Sequence, residues 1–233
     1  MEEERGILLP VYFVADESLS MEANIGELND GIASLRDALE REPLAASKVR
    51  LSITGFSGSV ETRMEMADIR EMTRTPTLVT RPTGTSYDSA FRDLLDRIPS
   101  DQKKLRAQGY RIHRPVVFFL TDGQPTDGPG WESLVWRLRD PEILKAYPTI
   151  IAFGIGAADA ATISKIATKP EFALLAVPGV DMGRVIAEFI RVFVQSVVKS
   201  GSALSAGGST IVVPQPDPSV LRVAADVIPD LDE

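Results

Sequence analysis

Cysteine is missing from this 233-residue sequence, and histidine occurs once, as His113. The absence of cysteine excludes disulfide bonds, thiol catalysis and thiolate metal sites. His113 lies among basic residues in a polar segment. We therefore expect it to be a surface residue and not the base of a Ser-His-Asp triad. Long apolar runs are also missing, because no stretch approaches the roughly 18–20 residues of a membrane span. The first residues, MEEERG, are acidic where a secretory signal would be basic. We therefore expect a soluble, cytoplasmic protein without a membrane partner.

Charge and composition narrow the possible functions further. The formal net charge is -8, which gives no electrostatic basis for binding nucleic acid or an anionic membrane. An acidic surface instead enriches cations nearby. The hydrophobic share of 44% and the charged share of 25% are ordinary for a globular protein. This length suits one α/β domain with a large core.

The first apolar segment, residues 7–14, is the best starting point for the fold. Seven of its eight residues are apolar, as expected for a strand that is buried on both faces of a parallel sheet. Polar residues follow at once, with Asp16, Ser18 and Ser20 at alternating positions. Ligands of open α/β sheets bind at the carboxyl ends of the strands. The segment thus predicts a buried strand with a functional tip.

Further strands and helices alternate along the chain. Strands are predicted at residues 7–14, 49–56, 59–66, 115–120, 149–153 and 172–177, and helices at residues 22–41, from about 86 to 98, 131–147, 159–168 and 181–199. This alternation predicts an α/β fold with a doubly wound, mainly parallel central sheet flanked by helices. Ser57-Gly58 indicates a hairpin, so one edge strand is expected to be antiparallel.

Two polar regions are predicted to lie outside this core. Residues 99–114 read as a surface connector with a short helix at its start; its basic cluster, residues 103–114, is expected to be a solvated face, with docking of an acidic partner as the alternative. Small residues at 200–209 predict a linker. We therefore expect one domain over residues 1–200 and a tail over 201–233, partly docked or flexible, with a short helix at 219–227.

Three loops supply candidate metal ligands. Asp16, Ser18 and Ser20 follow the first strand, Thr85 precedes a helix, and Asp122 follows the buried strand at residues 115–120. Right-handed crossovers bring such loops to one edge of the sheet. Thr83 competes with Thr85 for the middle role. Carboxylate and hydroxyl oxygens suit a hard cation such as Mg²⁺ or Mn²⁺.

These motifs resemble a von Willebrand factor A domain with a metal-ion-dependent adhesion site, over roughly residues 6–200. The family's D-x-S-x-S corresponds to residues 16–20, its threonine to Thr85 in PTGTS, and its third-loop aspartate to Asp122 in FFLTDG. Within the family, VYFVADESLSM, ITGFSGSV and FFLTDGQPTDG are most similar to bacterial TerY-type proteins of tellurium resistance and chemical stress. One departure is Leu19, which stands where the common member has glycine.

The resemblance implies a Rossmann-like fold and a protein-binding module without enzymatic activity. A divalent cation would be held by Asp16, Ser18, Ser20, Thr85 and Asp122, with Mg²⁺ favoured and Mn²⁺ or Ca²⁺ as alternatives. Ser18 and Ser20 would coordinate through their hydroxyls and Thr85 directly or through water. A partner protein would complete the site with a Glu or Asp carboxylate. For TerY-type proteins, kinase- and phosphatase-like operon neighbours are the implied partners.

Two other functions stay open at this point. A Mg²⁺-dependent phosphohydrolase of the haloacid dehalogenase type also places an aspartate after its first buried strand, but it needs a second carboxylate two residues later, where this chain has Ser18. An architectural subunit with a vestigial metal site is the other alternative, suggested by Leu19. Glu17 is predicted to point to solvent at the rim of the site. Asp88 and Asp127 are predicted to be helix-surface and turn residues.

Overall fold

The computed structural model describes residues 5–227. It contains the strands β1 (Ile7–Asp16), β2 (Val49–Phe56), β3 (Val60–Ala67), β4 (Arg111–Ile112), β5 (Val116–Thr121), β6 (Thr149–Gly154), β7 (Ala173–Ala176) and β8 (Leu221–Val223). Its α-helices are α1 (Ile25–Arg41), α2 (Pro43–Ala46), α3 (Tyr87–Ala107), α4 (Gly130–Arg139), α5 (Ala160–Ile166) and α6 (Met182–Ser205). In this part of the chain, every helix is too short or too polar to span a membrane.

The strands form one twisted sheet in the order β3-β2-β1-β5-β6-β7-β8, and the short β4 also pairs with β1. β2, β1, β5, β6 and β7 run parallel, while β3 is antiparallel to β2. The prediction of a doubly wound, mainly parallel sheet with an antiparallel edge is confirmed. The chain order reverses between β1 and β5, and in open α/β sheets the crevice at such a reversal is where ligands bind.

Both faces of the sheet are covered, as the continuous apolar strands predicted. In β1, alternate residues such as Phe13 and Val14 pack into different clusters on the two faces. The first cluster is formed with α1, α2 and α6, and the second with α3, α4 and α5. In the second cluster Phe119 stacks on Phe91, with ring centroids 5.0 Å apart. Tyr87 of the same cluster donates to the Gly123 carbonyl oxygen, so the aromatic residues reach the loop that follows β5.

Two helices are longer than predicted. α3 runs through Pro99 to Ala107, so the first half of the predicted connector is helical. The helix continues because it buries Leu105 beyond the proline, and this burial offsets the missing backbone hydrogen bond. α6 continues to Ser205, so the predicted linker at 200–209 is helical over much of its length. There, a side chain at Gly201 would lie 2.8 Å from the Ala45 carbonyl oxygen. The small residue allows close helix packing.

α4 is shorter than predicted. It ends at Arg139, and residues 140–147 form turns. Asp140 has an extended backbone, as expected for a residue that precedes proline. The remaining boundaries differ from the prediction by a few residues, because helix and strand ends are poorly marked in sequence.

The predicted short helix at 219–227 is wrong. Residues 221–223 form β8, which pairs antiparallel with β7, and only a short 3-10 turn follows at Ala224–Asp226. Leu221 and Ala224 are fully buried. The strand forms because β7 would otherwise leave an unpaired edge next to apolar residues of the tail.

Candidate metal site

The ends of β1 and β5 place two acidic residues side by side. Asp16 is the last residue of β1, and Thr121 is the last residue of its neighbour β5, so Asp122 begins the adjacent loop. Ala15 and Leu120 are register partners in these two strands. Asp16 and Asp122 therefore lie near each other at the reversal of strand order, close enough to interact electrostatically, although 106 positions of sequence numbering separate them.

Four of the five predicted ligand residues are linked by hydrogen bonds. Ser18 Oγ lies 3.0 Å from Ser20 Oγ, and Ser20 Oγ donates to Asp122 Oδ1 at 2.8 Å. Asp16 Oδ1 accepts from the backbone N–H of Ser18 at 2.8 Å. Neighbouring oxygens around Mg²⁺ with metal–oxygen distances of about 2.0–2.1 Å are about 2.9 Å apart in an octahedron. The spacing of these oxygens therefore fits a small hard cation.

Thr85 reaches the same edge from the loop before α3. Its carbonyl oxygen accepts from Thr126 N–H at 2.9 Å, and its own N–H donates to Thr126 Oγ1 at 3.1 Å. These bonds attach Thr85 to the loop that carries Asp122. Thr83 is committed elsewhere, because its hydroxyl pairs with Ser57 Oγ at 2.7 Å. The geometry thus favours Thr85 over Thr83 as the residue near the candidate site.

Within residues 5–227, Asp16 and Asp122 accept hydrogen bonds from hydroxyl and backbone N–H groups and form no ion pair. Burial raises the pKa of Asp16, and it also raises that of Asp122, where the nearby Asp16 charge adds to the rise. Among residues 5–227, no group of three or more His, Asp or Glu side chains could hold a metal, so any cation here must rely on hydroxyls as well. A divalent ion would offset the burial and the mutual repulsion of both carboxylates.

Glu17 does not point to solvent, and this prediction is wrong. Its side chain is completely buried. Arg63 donates to Oε1 and Oε2 at 2.7 Å each, Arg81 Nε donates to Oε2 at 3.0 Å, and Val79 N–H donates to Oε1 at 2.9 Å. The charge-paired hydrogen bonds stabilise a carboxylate that could not be buried alone. We call Glu17, Arg63 and Arg81 the arginine clamp.

The clamp fixes the backbone of the D-x-S-x-S segment. Glu17 N–H donates to the Phe56 carbonyl oxygen at 2.7 Å, and the Glu17 carbonyl oxygen accepts from Arg81 N–H at 2.6 Å. Glu17 is therefore held by both its side chain and its backbone, between Asp16 and Ser18. Sequence reasoning missed this role because Arg63 and Arg81 lie far along the chain at no recognisable spacing.

The loop after β6 supports the Asp122 loop. The Asp122 carbonyl oxygen accepts from Ala157 N–H at 2.7 Å, and Gly156 adopts a φ of 58° beside it. A Cβ on Gly156 would lie 2.9 Å from that carbonyl oxygen. Gly156 therefore allows the close approach of this loop to the Asp122 backbone.

Asp88 lies in the first turn of α3, and Asp127, from the loop between β5 and α4, contacts the start of that helix. Asp127 Oδ2 accepts from Ser86 Oγ at 2.7 Å and from Asp88 N–H at 2.8 Å. The Asp88 side chain forms an exposed ion pair with Arg92. Asp127 thus stabilises the beginning of the helix that follows Thr85.

Thr121 is a further residue of the site that the sequence did not single out. Its Oγ1 donates to Asp16 Oδ2 at 2.7 Å, and its side chain is fully buried. The Tyr87 hydroxyl lies 3.2 Å from the same Oγ1 and 2.9 Å from the Gly123 carbonyl oxygen. The sequence feature that could have identified Thr121 is its position at the end of an apolar strand, directly before Asp122. Through its hydrogen bond to Oδ2, Thr121 orients the Asp16 carboxylate.

We expect Thr121→Val to weaken divalent-cation binding by about 10- to 100-fold, the usual cost of losing a group that orients a metal ligand. Valine keeps the shape of threonine but cannot donate to Asp16. Calorimetric titration with Mn²⁺ measures the change, and Thr54→Val, a buried β2 threonine beside Val14 and not beside a proposed ligand, is the matched control. Unchanged affinity in Thr121→Val would show that this hydrogen bond does not orient the ligand.

The sequence also matches a known family. Residues 11–178 match the family model described as von Willebrand factor type A domain. A search of curated proteins found no significant match.

Several solved structures share the fold. The von Willebrand factor type A protein from Catenulispora acidiphila is 14% identical, with a TM-score of 0.57, over 82% of this chain and 43% of that chain. The pilus adhesin SpaC from Lactobacillus rhamnosus GG, in an open conformation, is 13% identical, with a TM-score of 0.64, over 83% and 30%. Proximal thread matrix protein 1 from the mussel byssus, solved with a zinc-occupied MIDAS motif, is 17% identical, with a TM-score of 0.53, over 80% and 46%. The chain thus spans less than half the length of each.

Proposed function

Because the chain belongs to the von Willebrand factor type A domain family, we propose that it is a metal-dependent protein-binding module. Domains of this family are typically metal-dependent interaction modules and are generally not enzymes. One observation carries the proposal for this chain. The side-chain oxygens of Ser18, Ser20 and Asp122 form a chain with spacings of 2.8–3.0 Å beside the buried Asp16, and within residues 5–227 neither carboxylate forms an ion pair.

The proposed metal ligands are those predicted from the sequence, namely Asp16, Ser18, Ser20, Thr85 and Asp122. Oxygen ligands and short oxygen–oxygen spacing favour Mg²⁺, with Mn²⁺ as a close substitute. The mussel thread matrix protein contains zinc at a MIDAS motif. Binding of Zn²⁺ should therefore be tested beside that of Mg²⁺ and Mn²⁺. When bound, the cation would supply an attachment point for an anionic oxygen of a partner.

The surroundings of the site suit a partner that brings both a carboxylate and an apolar side chain. Leu19 lies between Ser18 and Ser20 in the sequence, and its side chain is 56% exposed. Val79, which hydrogen-bonds Glu17, is 50% exposed. Two carboxylates balance a divalent charge only when both ionise, and a third from a partner would add a strong electrostatic contact. Leu19 stands where the common member has a flexible glycine, and its side chain would provide an apolar contact with the partner.

A carboxylate probe tests the open coordination position without a known partner. With Mn²⁺ bound, the protein should enhance water-proton relaxation, because metal-bound waters exchange with solvent. Acetate should lower this enhancement by displacing a water, whereas neutral acetamide at the same concentration should not. The Asp16→Ala variant should show little enhancement at all. Enhancement that acetate leaves unchanged would contradict a carboxylate-binding metal.

Partner binding is tested separately by affinity capture with and without chelator. Proteins that are retained in Mg²⁺, released by chelator and absent with Asp16→Ala would be candidates for a purified binding assay. Glu22→Ala, which removes an exposed acid near the same loop, is the matched control. A purified partner that binds equally well in chelator would overturn the metal-dependent mechanism.

The geometry disfavours the phosphohydrolase alternative. Asp16 is fully buried, and each of its carboxylate oxygens already accepts a hydrogen bond, from Ser18 N–H and from Thr121 Oγ1. A nucleophile needs a carboxylate oxygen that can reach the substrate. We expect no hydrolysis of p-nitrophenyl phosphate in Mg²⁺; turnover lost in Asp16→Ala would instead establish an enzyme.

We further propose, on the motif resemblance alone, a cytoplasmic TerY-type role in tellurium resistance or chemical stress. Kinase- or phosphatase-like proteins encoded nearby are then the first partners to test. Deleting the gene in its source organism should lower tellurite tolerance, and the wild-type gene, but not one encoding Asp16→Ala, should restore it. Unchanged tolerance would contradict this role and leave the metal chemistry to its own tests.

A further inference from the structure

The edge of the sheet opposite the metal site contains a cationic cleft in an otherwise acidic protein. A cavity of about 400 Å³ opens where β5, β6 and β7 begin, and a neighbouring one of about 170 Å³ shares His113 and Arg114 with it. Together they are lined by the basic groups His113, Arg106, Arg114, Lys145 and Lys169. Among residues 5–227, no Asp or Glu lines either cavity. We call the two cavities the basic cleft.

Within residues 5–227, the cations of the basic cleft form weak ion pairs or no ion pair. Lys169 pairs with Glu171 at 3.6 Å and Lys145 with Glu142 at 3.3 Å, but all four side chains are more than half exposed. Such pairs contribute little and can be exchanged for a ligand. Arg114 forms no ion pair with any residue in the range 5–227; it lies 3.9 Å from the centre of the Tyr147 ring and hydrogen-bonds the Tyr147 hydroxyl.

The larger cavity combines these charges with hydroxyls and an apolar wall. Thr149, Ser209 and Thr210 line it beside Arg114, and Phe172 and Ile211 provide apolar surface. His113 Nε2 lies 2.8 Å from the Ser209 carbonyl oxygen and so holds the 209–211 segment against the mouth of the cavity. The volume falls within the usual range of small-molecule sites, about 300–1,000 Å³.

We propose that the basic cleft binds a small organic phosphate. A guanidinium held against an aromatic ring presents a planar pair of donors that suits phosphate oxygens. Phosphate, with more charge and more acceptor oxygens than a carboxylate, can engage Arg114, Lys169 and the hydroxyls together. The organic part would pack on Phe172 and Ile211. This ligand is independent of the metal site, which lies at the other edge of the sheet.

Phenyl phosphate is the probe, titrated into full-length protein in chelator so that the metal site cannot contribute. Amide chemical shifts should change for Arg114, Thr149 and Phe172 and stay constant at Ser18 and Asp122. Arg114→Gln and, separately, Lys169→Gln should each weaken binding by about tenfold or more, the usual effect of losing a charge-assisted hydrogen bond. Arg92→Gln, an exposed arginine on α3, should bind like wild type.

The other arms decide the class of ligand. Benzoate should bind at least about tenfold more weakly than phenyl phosphate, because it offers one charge and two oxygens. Equal binding of the two compounds would overturn the assignment to phosphate. A glutamate-rich peptide that binds more tightly, and is lost in Arg114→Gln, would instead assign the cleft to an acidic protein partner. No shift at millimolar phenyl phosphate would overturn the site itself.

Discussion

Glu17→Ala is expected to lower the free energy of unfolding by about 3–5 kcal/mol, as for other buried ion pairs that lose one partner. The substitution leaves Arg63 and Arg81, with side chains only 17% and 14% exposed, without the buried anion that they share. It also removes the acceptor of the Val79 N–H. Equilibrium unfolding in urea measures the loss.

Glu61→Ala is the matched control for this measurement. Glu61 also contacts both arginines, at 2.9 and 3.3 Å, but its side chain is 49% exposed. Exposed ion pairs of this kind contribute about 0–1 kcal/mol. A similar loss of stability in both variants would show that burial of Glu17 is not what makes the arginine clamp important.

Gly55→Ala is expected to cost about 3 kcal/mol, at the upper end of overpacking substitutions. A Cβ at this β2 residue would lie 2.0 Å from Glu17 Cδ and 2.2 Å from Oε1. The carboxylate cannot move aside without breaking its bonds to the two arginines. Gly26→Ala is the control, because nothing lies within 4 Å of its Cβ position in α1; it should be neutral or slightly stabilising.

The double variant separates this clash from a general intolerance of alanine in β2. In the Glu17→Ala background the carboxylate is gone, so Gly55→Ala should cost less than about 1 kcal/mol. The two substitutions should therefore be strongly non-additive, as for residues in direct contact. Additive costs in the urea measurements would mean that the Gly55 backbone, and not Glu17, sets the constraint.

The sequence was most informative where a local pattern was compatible with only one kind of structure. Apolar strands followed by Asp16 or Asp122 predicted a parallel sheet, and the fold is confirmed. The order of the loops predicted that these aspartates meet at one edge, as the structure shows. Their role as metal ligands stays a prediction.

It was least informative where a residue acts through a distant neighbour. The segment around Gly201 was predicted to be a linker, because the sequence does not show that Gly201 packs against Ala45 of another helix. Glu17 resembled a rim residue because Arg63 and Arg81 reach it only in the folded chain. Pro99 suggested a helix end, but the burial of Leu105 beyond it favours a continuous α3. In each case tertiary packing overrides a correct local preference.

The two ends of the parallel strands have different proposed binding functions. The carboxyl ends of the strands hold the proposed cation site, and the opposite ends hold the basic cleft. The two surfaces therefore favour ligands of opposite charge, in a chain whose net charge is -8. Because the tests of the cleft use chelated protein, either site can fail without affecting the other.

The most direct test of the central claim is a calorimetric titration of Mg²⁺ and Mn²⁺ into chelator-stripped protein. Wild type and Glu22→Ala should bind one ion, with a dissociation constant at or below the millimolar end of known hard-cation sites. Asp16→Ala should bind none, while its circular dichroism shows that it is folded. Wild type that stays silent at millimolar metal, or Asp16→Ala that binds as well as wild type, would contradict a metal site at the ends of β1 and β5.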